Sequence, residues 1–368
     1  MDTQDPVLAR LLDQVLTAQQ TQTPLDIRGG STKAFYGGVP RGEPLDMRAL
    51  AGISSHEPTD LVVTVRAGTL LSELEAALGE HGQCLPFEPP RFNTPGSDGG
   101  TVGGMVAAGL AGPARAAVGS VRDFVLGATM LNGRGELLTF GGQVMKNVAG
   151  YDVSRLMAGS MGVLGLLCEV SLKVLPMLAA QTTLEFEQDE AQALGWFNAR
   201  RAQPLPITAS SWHGGRLRLR LAGARAAVRS AAQSLEGVPV DANEAARWWR
   251  DIRDHHLAYF GIDAAALAAG ECLWRLSVPA SAPPLALPGT AFIEWGGAQR
   301  WIRTAAPATD VRAAASLAGG HATLFRAADK STGTFSPLTA PLMRIHRELK
   351  RALDPAGIFN RGRLYSEF

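Results

Sequence analysis

Thr94–Gly112 reads TPGSDGGTVGGMVAAGLAG, and the placement of glycine in this stretch decides the fold. Seven of the seventeen positions from Gly96 to Gly112 are glycine. Glycine weakens a helix and costs chain entropy, yet the run leads straight into Met105, Val106, Ala107, Ala108 and Leu110. A dinucleotide-binding turn is the first reading. The Rossmann fingerprint needs Gly at i, i+2 and i+5 directly after a strand. Here the glycines come in pairs, GG-TV-GG, with no Gly-x-Gly in the stretch. No Gly-Lys-Ser/Thr occurs anywhere, which removes a Walker A loop as well.

What remains is anion binding by the backbone itself. Successive N–H groups in a glycine-rich turn converge into a nest, and a missing Cβ lets a phosphate come close. Two such loops stand in the first part of the chain: Arg28-Gly29-Gly30-Ser31-Thr32-Lys33 and Gly99-Gly100-Thr101-Val102-Gly103-Gly104. The second opens a helix that Thr101 can cap, and a helix N-terminus adds free donors and partial positive charge. Either loop alone reads equally well as a tight turn. A third loop, Gly159 to Gly165, enters a strand and is better read as a bulge or tight strand start.

Around these loops the pattern alternates helix and strand. Residues 8–19 are helical in spacing, Leu25 and Ile27 begin a short strand, and Leu61–Val65 is a clear strand. Ser72-Glu73-Leu74-Glu75 fits a capping box for a helix reaching about Gly79. Phe124–Leu131, the turn Asn132-Gly133-Arg134-Gly135 and Glu136–Phe140 make a hairpin. A short helix runs from Asp152 to Met157, and Val163–Val174 is a strand that Pro176 ends. After Pro176 glycine thins while tryptophan, arginine and alanine rise. There, strands at 182–186, 217–221, 273–278 and 291–295 and helices at 189–202, 224–236 and 244–260 suggest a separate α+β domain. A last amphipathic helix covers 338–353.

The bulk properties exclude several classes. The chain has 368 residues, 46% hydrophobic, enough for two or three domains with a large core. A net charge of +1 argues against nucleic acid or an anionic membrane as the main partner. No apolar run approaches the roughly 20 residues that cross a bilayer. The acidic start, MDTQDPVLARLLDQV, lacks the cationic and apolar blocks of a secretory signal. Cys84, Cys168 and Cys272 form no Cys-x-x-Cys pair, so they read as reduced thiols of a cytoplasmic protein and not as metal or cluster ligands.

Taken together, DIRGGSTKAF, VVTVRAGTLLSELEAAL, TVGGMVAAGLAG, Gly119-Ser120-Val121-Arg122-Asp123, GYDVSRLMAGSMGVLGLLCEVSLKVLP and the C-terminal LDPAGIFNRGRLY resemble the vanillyl-alcohol-oxidase family of flavoproteins, whose FAD-binding domain is of the PCMH type. Within that family LPFEPP, GSVRDFVLG, FGGQVMKNVAGYDVSRLM, IEWGGAQRW and AGGHATLF resemble the FAD-binding subunits of bacterial glycolate oxidases (glycolate dehydrogenases). The resemblance implies an α+β chain: a PCMH-type FAD-binding domain of two α/β subdomains at 1–177, a smaller α+β cap or substrate-side domain at 178–335, and a C-terminal helix and tail at 336–368 returning to the FAD domain.

It also implies roles by position. Arg28, Gly29, Gly30, Ser31, Thr32 and Lys33 would wrap the pyrophosphate. Pro95, Gly96, Thr101, Gly103 and Gly104 would line the flavin and its phosphates, and Gly112, Gly119 and Asp123 would shape the pocket. Gly162 and the strand entry at Leu166–Leu167 would meet the adenine side through backbone groups. Lys146, Asn147, Tyr151 and Asp152 would form a structural or flavin-proximal cluster. Asn360 and Arg363 would bring the tail back over the FAD domain. The first loop carries Ser31-Thr32-Lys33 and no histidine, so FAD is expected to be non-covalent.

The His-x-x-Gly-Asp-Gly-Asn motif of hydroxy-acid-oxidising relatives has no counterpart here. Oxidising a 2-hydroxy acid needs a base near the alcohol and cations for the carboxylate. His321 is the single base candidate, against a structural role at a strand end. His255-His256 fits the solvated side of a helix or a partner surface. Arg216, Arg218 and Arg220 fit an exposed strand face better than a carboxylate site. Two functions follow. One is an FAD subunit relaying electrons from a homologous catalytic flavin subunit to an iron–sulfur subunit. The other is a stand-alone FAD-dependent 2-hydroxy-acid dehydrogenase using His321. Neither needs nucleic acid or a resident metal. The expected location is cytoplasmic, with peripheral placement at the inner membrane through partner subunits as the alternative.

Overall fold

The computed structural model describes residues 5–93, 99–142 and 152–368. The chain resolves into two compact units. Unit 1 takes the described residues within Met1–Leu110, Ser120–Pro176 and Pro337–Phe368, and unit 2 takes Ala111–Gly119 and Met177–Ser336.

Among its described residues unit 1 has nine strands: β1 (Leu25–Arg28), β2 (Glu43–Asp46), β3 (Ile53–Glu57), β4 (Val62–Arg66), β5 (Gln83–Cys84), β6 (Val125–Leu131), β7 (Leu137–Gly141), β8 (Leu166–Lys173) and β9 (Leu175–Pro176). β1 and β2 pair in parallel, and β3-β4-β8-β6-β7 form an antiparallel sheet in that order. The sheet's centre is buried on both faces along β4, β6 and β8, mostly by valine and leucine, with Thr64 and Ser171 hydrogen-bonded to each other across β4 and β8 at 2.8 Å. The first helix, Pro6–Thr21, is capped by Asp5, whose carboxylate accepts the N–H groups of Val7 and Leu8. Its buried stripe Leu8, Leu11, Val15 and Ala18 packs with Leu25, Leu45, Leu50, Leu166, Ile358 and Phe359 into one core.

That core draws the C-terminus back to β1. Leu25 N–H donates to Ile358 O at 2.8 Å and Asn360 N–H to Leu25 O at 2.9 Å, so the tail runs beside β1 as a further parallel rung. The helix Ala340–Leu353 leads into it. The Lys350 ammonium is buried there and donates to Asp354 Oδ2 (2.6 Å), Val163 O (2.7 Å) and Phe359 O (2.9 Å).

One expected start signal is not used. The helix after β4 is Leu71–Glu80, and its N-cap is Leu70 with no side-chain cap, so Ser72 heads no capping box. Leu71 N–H donates instead to Gly100 O at 2.8 Å, because the glycine loop lies against this helix start as an antiparallel bridge, Leu70 opposite Thr101.

Unit 2 holds eight antiparallel strands: β10 (Ala180–Glu187), β11 (Ile207–His213), β12 (Arg216–Gly223), β13 (Val238–Pro239), β14 (Cys272–Ser277), β15 (Thr290–Glu294), β16 (Gln299–Thr304) and β17 (His321–Arg326). Their order is β13-β10-β12-β11-β15-β16-β14-β17. β12 is buried on both faces. Leu217, Leu219 and Leu221 pack with the helices Glu190–Arg200 and Arg225–Leu235. Arg218 and Arg220 lie over Trp248 and Trp249 of the helix Ala242–Arg253 at 4.3 and 5.4 Å. Of the expected exposed arginine face, Arg216 at the strand start is exposed, while Arg218 and Arg220 are covered. Arg218 is 8% exposed and is held by Glu185 (2.6 Å) and Glu244 (2.8 Å).

The helix expected over 244–260 also stops early, at Arg253. Asp254 caps it, and His255 turns left-handed at φ 56°. Its ring leaves the polar side and stacks on Phe260 at 4.0 Å, edge-on to Trp301 at 4.8 Å. Burial, then Arg326 and Arg275, holds its pKa well below the usual imidazole value.

Candidate functional site

A cleft of about 310 Å³ opens in unit 1 between the two glycine loops. β1 delivers the first loop. Gly29, Gly30, Ser31, Thr32 and Lys33 line the cleft, and the N–H groups of Gly29 to Thr32 donate to no other described residue. Ser31 sits at φ 55°, a left-handed residue that aims neighbouring N–H groups to one side. The second loop lies opposite. Thr101 caps the helix Val102–Ala108, its Oγ1 accepting Gly104 N–H at 3.2 Å.

The two loops pack too closely for side chains. A methyl on Gly29 would stand 2.1 Å from Thr101 Oγ1, and one on Gly30 1.6 Å from Gly99 O. Gly103 is pressed on Ala67, where a Cβ would come within 2.7 Å of the alanine Cβ. Gly104 differs: among the described residues a Cβ there would meet only Thr101 Oγ1, at 3.2 Å, and Gly104 lines the cleft. Backbone donors on one wall face Met47, Ala67, Ala107, Ala108, Met161 and Leu167 on the others. Lys33 lines the cleft with its ammonium 5.8 Å from the Phe92 ring centroid, while the Arg28 guanidinium is paired with Asp26 at 2.6 Å. Such a cleft suits a ligand with an anionic centre and flat apolar ends, which is the chemistry of a dinucleotide. The uncontacted N–H groups and the open space over Gly104 therefore fit FAD.

The C-terminal tail buttresses the cleft. Asn360 lies at φ 43°; its Oδ1 accepts Ile27 N–H and its Nδ2 donates to Met161 O, both at 2.7 Å. The Arg363 guanidinium donates to Ala34 O (3.1 Å), Tyr36 O (2.6 Å) and Gly38 O, which ties the tail to the end of the first loop. Burial lowers the Arg363 pKa, and Asp26 partly offsets this.

Of the expected site residues, Arg28 to Lys33, Thr101, Gly103, Gly104, Gly162, Asn360 and Arg363 come together around this cleft. Pro95, Gly96, Lys146, Asn147 and Tyr151 lie outside the described residues. The others stand elsewhere. The Leu166 side chain is fully buried in the core with Cys168, while Leu167, on the opposite face of β8, lines the cleft. Gly112 and Gly119 belong to unit 2. There Gly112 O accepts Trp295 Nε1–H at 3.1 Å, and Gly119, at φ 103°, ends the helix Arg115–Val118. The Asp123 carboxylate accepts Ser120 N–H and caps Val121–Phe124. Asp152 caps Val153–Leu156. His321 opens β17 in unit 2, opposite Ser277; partial burial and Arg275 lower its pKa.

Met47 and Ala67 were not anticipated as lining residues. Ala67 could have been, since a small residue closing a strand lets a glycine helix lie against it. The cysteines are free thiols, and burial pushes Cys168 up to about 12, away from thiolate chemistry.

Known proteins carry the same combination. A family profile described as an FAD binding domain matches residues 9–141. The structure of an alkyldihydroxyacetonephosphate synthase superposes on 96% of this chain and 75% of its own with a TM-score of 0.62, at 15% identity, which is a likeness of fold. Fold, cleft and profile thus define an FAD-binding protein of α+β architecture. Within that class the chain belongs to the family of the glycolate oxidase subunit GlcE, being 46% identical to that subunit of Escherichia coli (strain K12) over 357 residues, 97% of each chain. It is also 28% identical over 202 residues to the glycolate oxidase subunit GlcD of Bacillus subtilis (strain 168), 54% of this chain and 42% of that one. Among the described residues no helix is long and apolar enough to cross a membrane.

Proposed function

We propose that this chain is the FAD-carrying subunit of a dehydrogenase complex that oxidises glycolate, a small 2-hydroxy acid, to glyoxylate. Its partners are a homologous catalytic flavin subunit and an iron–sulfur subunit, and the complex is cytoplasmic. The reading is carried by one coincidence: a cleft fitted to FAD in a chain that matches GlcE end to end. The half-length match to GlcD supports a related flavin subunit as partner.

Bound FAD supplies a hydride acceptor that can release its electrons singly. The chain's own residues bind and orient it. The N–H groups of Gly29 to Thr32 and the capped start of Val102–Ala108 receive the pyrophosphate, with Lys33 adding a cation. The apolar wall of Met47, Ala67, Ala107 and Leu167 keeps water from the flat rings. Ser31-Thr32-Lys33 offers no histidine for attachment, so FAD is held non-covalently.

The test is an absorbance spectrum of the chain purified with FAD, then anaerobic glycolate with and without the partner subunits. Bleaching only with the partners is expected. A chain that retains no flavin overturns the reading. Bleaching by the chain alone would instead give it a substrate site of its own, the stand-alone alternative.

A further inference from the structure

Unit 2 contains a second cavity, of about 300 Å³, on one face of its sheet. The strand register decides which side chains reach it. β15 and β16 pair Ala291 with Ile302 and Ile293 with Arg300, so these four side chains share a face. Ile293 clusters with Leu194 and Phe197 of the helix Glu190–Arg200, and Ile302 with Val311 and Ala315 of the helix Ala308–Leu317. The cavity lies where these two clusters meet, beside the loop that carries Leu285 and Leu287. The His213 ring stands on the opposite face, stacked on Phe292 and edge-on to Tyr259, and takes no part.

Arg300 is 1% exposed and lines this cavity together with Glu190. Its Nε donates to Gly297 O at 2.6 Å and its Nη2 to Ala282 O at 2.8 Å. Nη1 has only long contacts, with Pro283 O at 3.5 Å and the Glu190 carboxylate at 3.8 Å. A guanidinium carries five N–H groups, so two make bonds of ordinary length and three do not. Carbonyl dipoles solvate a guanidinium without cancelling its charge, and a cation buried this fully calls for an anion in closer contact than Glu190 gives. Burial brings the Arg300 pKa down to about 10, which leaves it charged at neutral pH, and burial raises that of Glu190. The wall beside the cation is aliphatic: Leu285, Leu287, Ala291 and Ile302.

We infer that this cavity binds a medium-chain aliphatic monocarboxylate, its carboxylate pairing with the spare N–H groups of Arg300 and its alkyl chain lying along Leu285, Leu287, Ala291 and Ile302. Glu190 competes for the same cation, and its partly exposed side chain can turn to solvent when the ligand enters. The ligand class differs from the substrate proposed above, because this wall recognises an alkyl chain. The inference rests on the unit 2 cavity alone and not on the flavin reading.

The probe is hexanoate, titrated calorimetrically into the full FAD-loaded chain, and one saturable site is expected. Each methylene buried against an apolar wall is worth about fourfold in affinity, so butanoate should bind at least about tenfold more weakly. Hexan-1-ol, without the charge, should also bind at least about tenfold more weakly, the worth of one charge-assisted contact. Glycolate at equal concentration should not displace hexanoate. Glu190→Gln, at the start of a helix, removes the competing carboxylate and should tighten binding severalfold. Leu287→Asp, at a partly exposed loop position, sets a negative charge against the alkyl chain and should weaken binding about tenfold or more. If that variant fails to fold, Glu190→Gln and the comparison with hexan-1-ol decide. No saturable heat up to millimolar hexanoate overturns the inference. So does hexan-1-ol binding as tightly as hexanoate, or affinity unchanged in both variants. Displacement by equal glycolate overturns it as well, since the site would then select for the carboxylate and not for the chain. None of these readouts depends on turnover or on partner subunits, so failure here leaves the proposed function standing, and the reverse holds too.

Discussion

Gly103 and Gly104 are neighbours in sequence with different reasons for lacking a side chain. A Cβ on Gly103 would collide with Ala67, so its constraint is packing. A Cβ on Gly104 meets little protein, so its constraint is the ligand. Gly104→Val is therefore expected to abolish FAD retention, seen as loss of the visible flavin spectrum, with circular dichroism and the unfolding of unit 2 unchanged. Retained flavin would mean the anion site lies elsewhere. Gly103→Ala should instead destabilise unit 1 by about 1–3 kcal/mol through overpacking, read from urea unfolding without FAD. Equal effects of the two changes would refute the distinction.

At the scale of elements, the end of the last helix and the tail act as one piece because Lys350 and Asp354 are buried together. Asp354 is 1% exposed and also accepts Ile358 N–H (3.1 Å) and Phe359 N–H (2.8 Å). Lys350→Met leaves that carboxylate buried without its cation, which should cost about 3–5 kcal/mol in unfolding free energy. The double change Lys350→Met with Asp354→Asn should recover part of the loss in the same measurement.

The turn after Ala242–Arg253 predicts a pH effect. His255 has a folded-state pKa well below that of the unfolded chain. Below about 6.5 the unfolded ring takes up a proton that the folded one refuses, so stability falls as pH drops from that value toward the folded pKa. The slope for one such group reaches about 1.4 kcal/mol per pH unit, and His255→Gln should flatten it in denaturant titrations at successive pH values. An unchanged slope would show that the ring does not carry the effect.

For the whole molecule, the chain passes between the units after Leu110, Gly119, Pro176 and Ser336, while the FAD cleft lies within unit 1 alone. Ligand that binds only the folded state stabilises by mass action, about 2.7 kcal/mol at a hundredfold excess over Kd. Calorimetry of the FAD-free and FAD-loaded chain should therefore show the transition of unit 1 rising with FAD and that of unit 2 unmoved. With Gly104→Val neither should move. A common shift of both would show that the units unfold as one.

The sequence by itself determined the flavin loops, because a backbone nest is local: paired glycines, a capping threonine and a helix start lie within a few residues of one another. It also determined nine of the seventeen described strands and most of the longer helices, whose apolar spacing is written along the chain, but not β11, β16 or β17. β2, with Pro44, and the polar edge strand β3 escaped notice, since their pairing comes from neighbours and not from their own residues. Only the tertiary structure decided that Leu167 and not Leu166 faces the cleft, for a one-residue register reverses a strand's faces. Only it showed Arg218 and Arg220 covered by tryptophans, His255 inside an aromatic cluster, and Gly112 in unit 2. Such contacts arise from packing between distant elements, and no local pattern of residue types encodes which of them will meet.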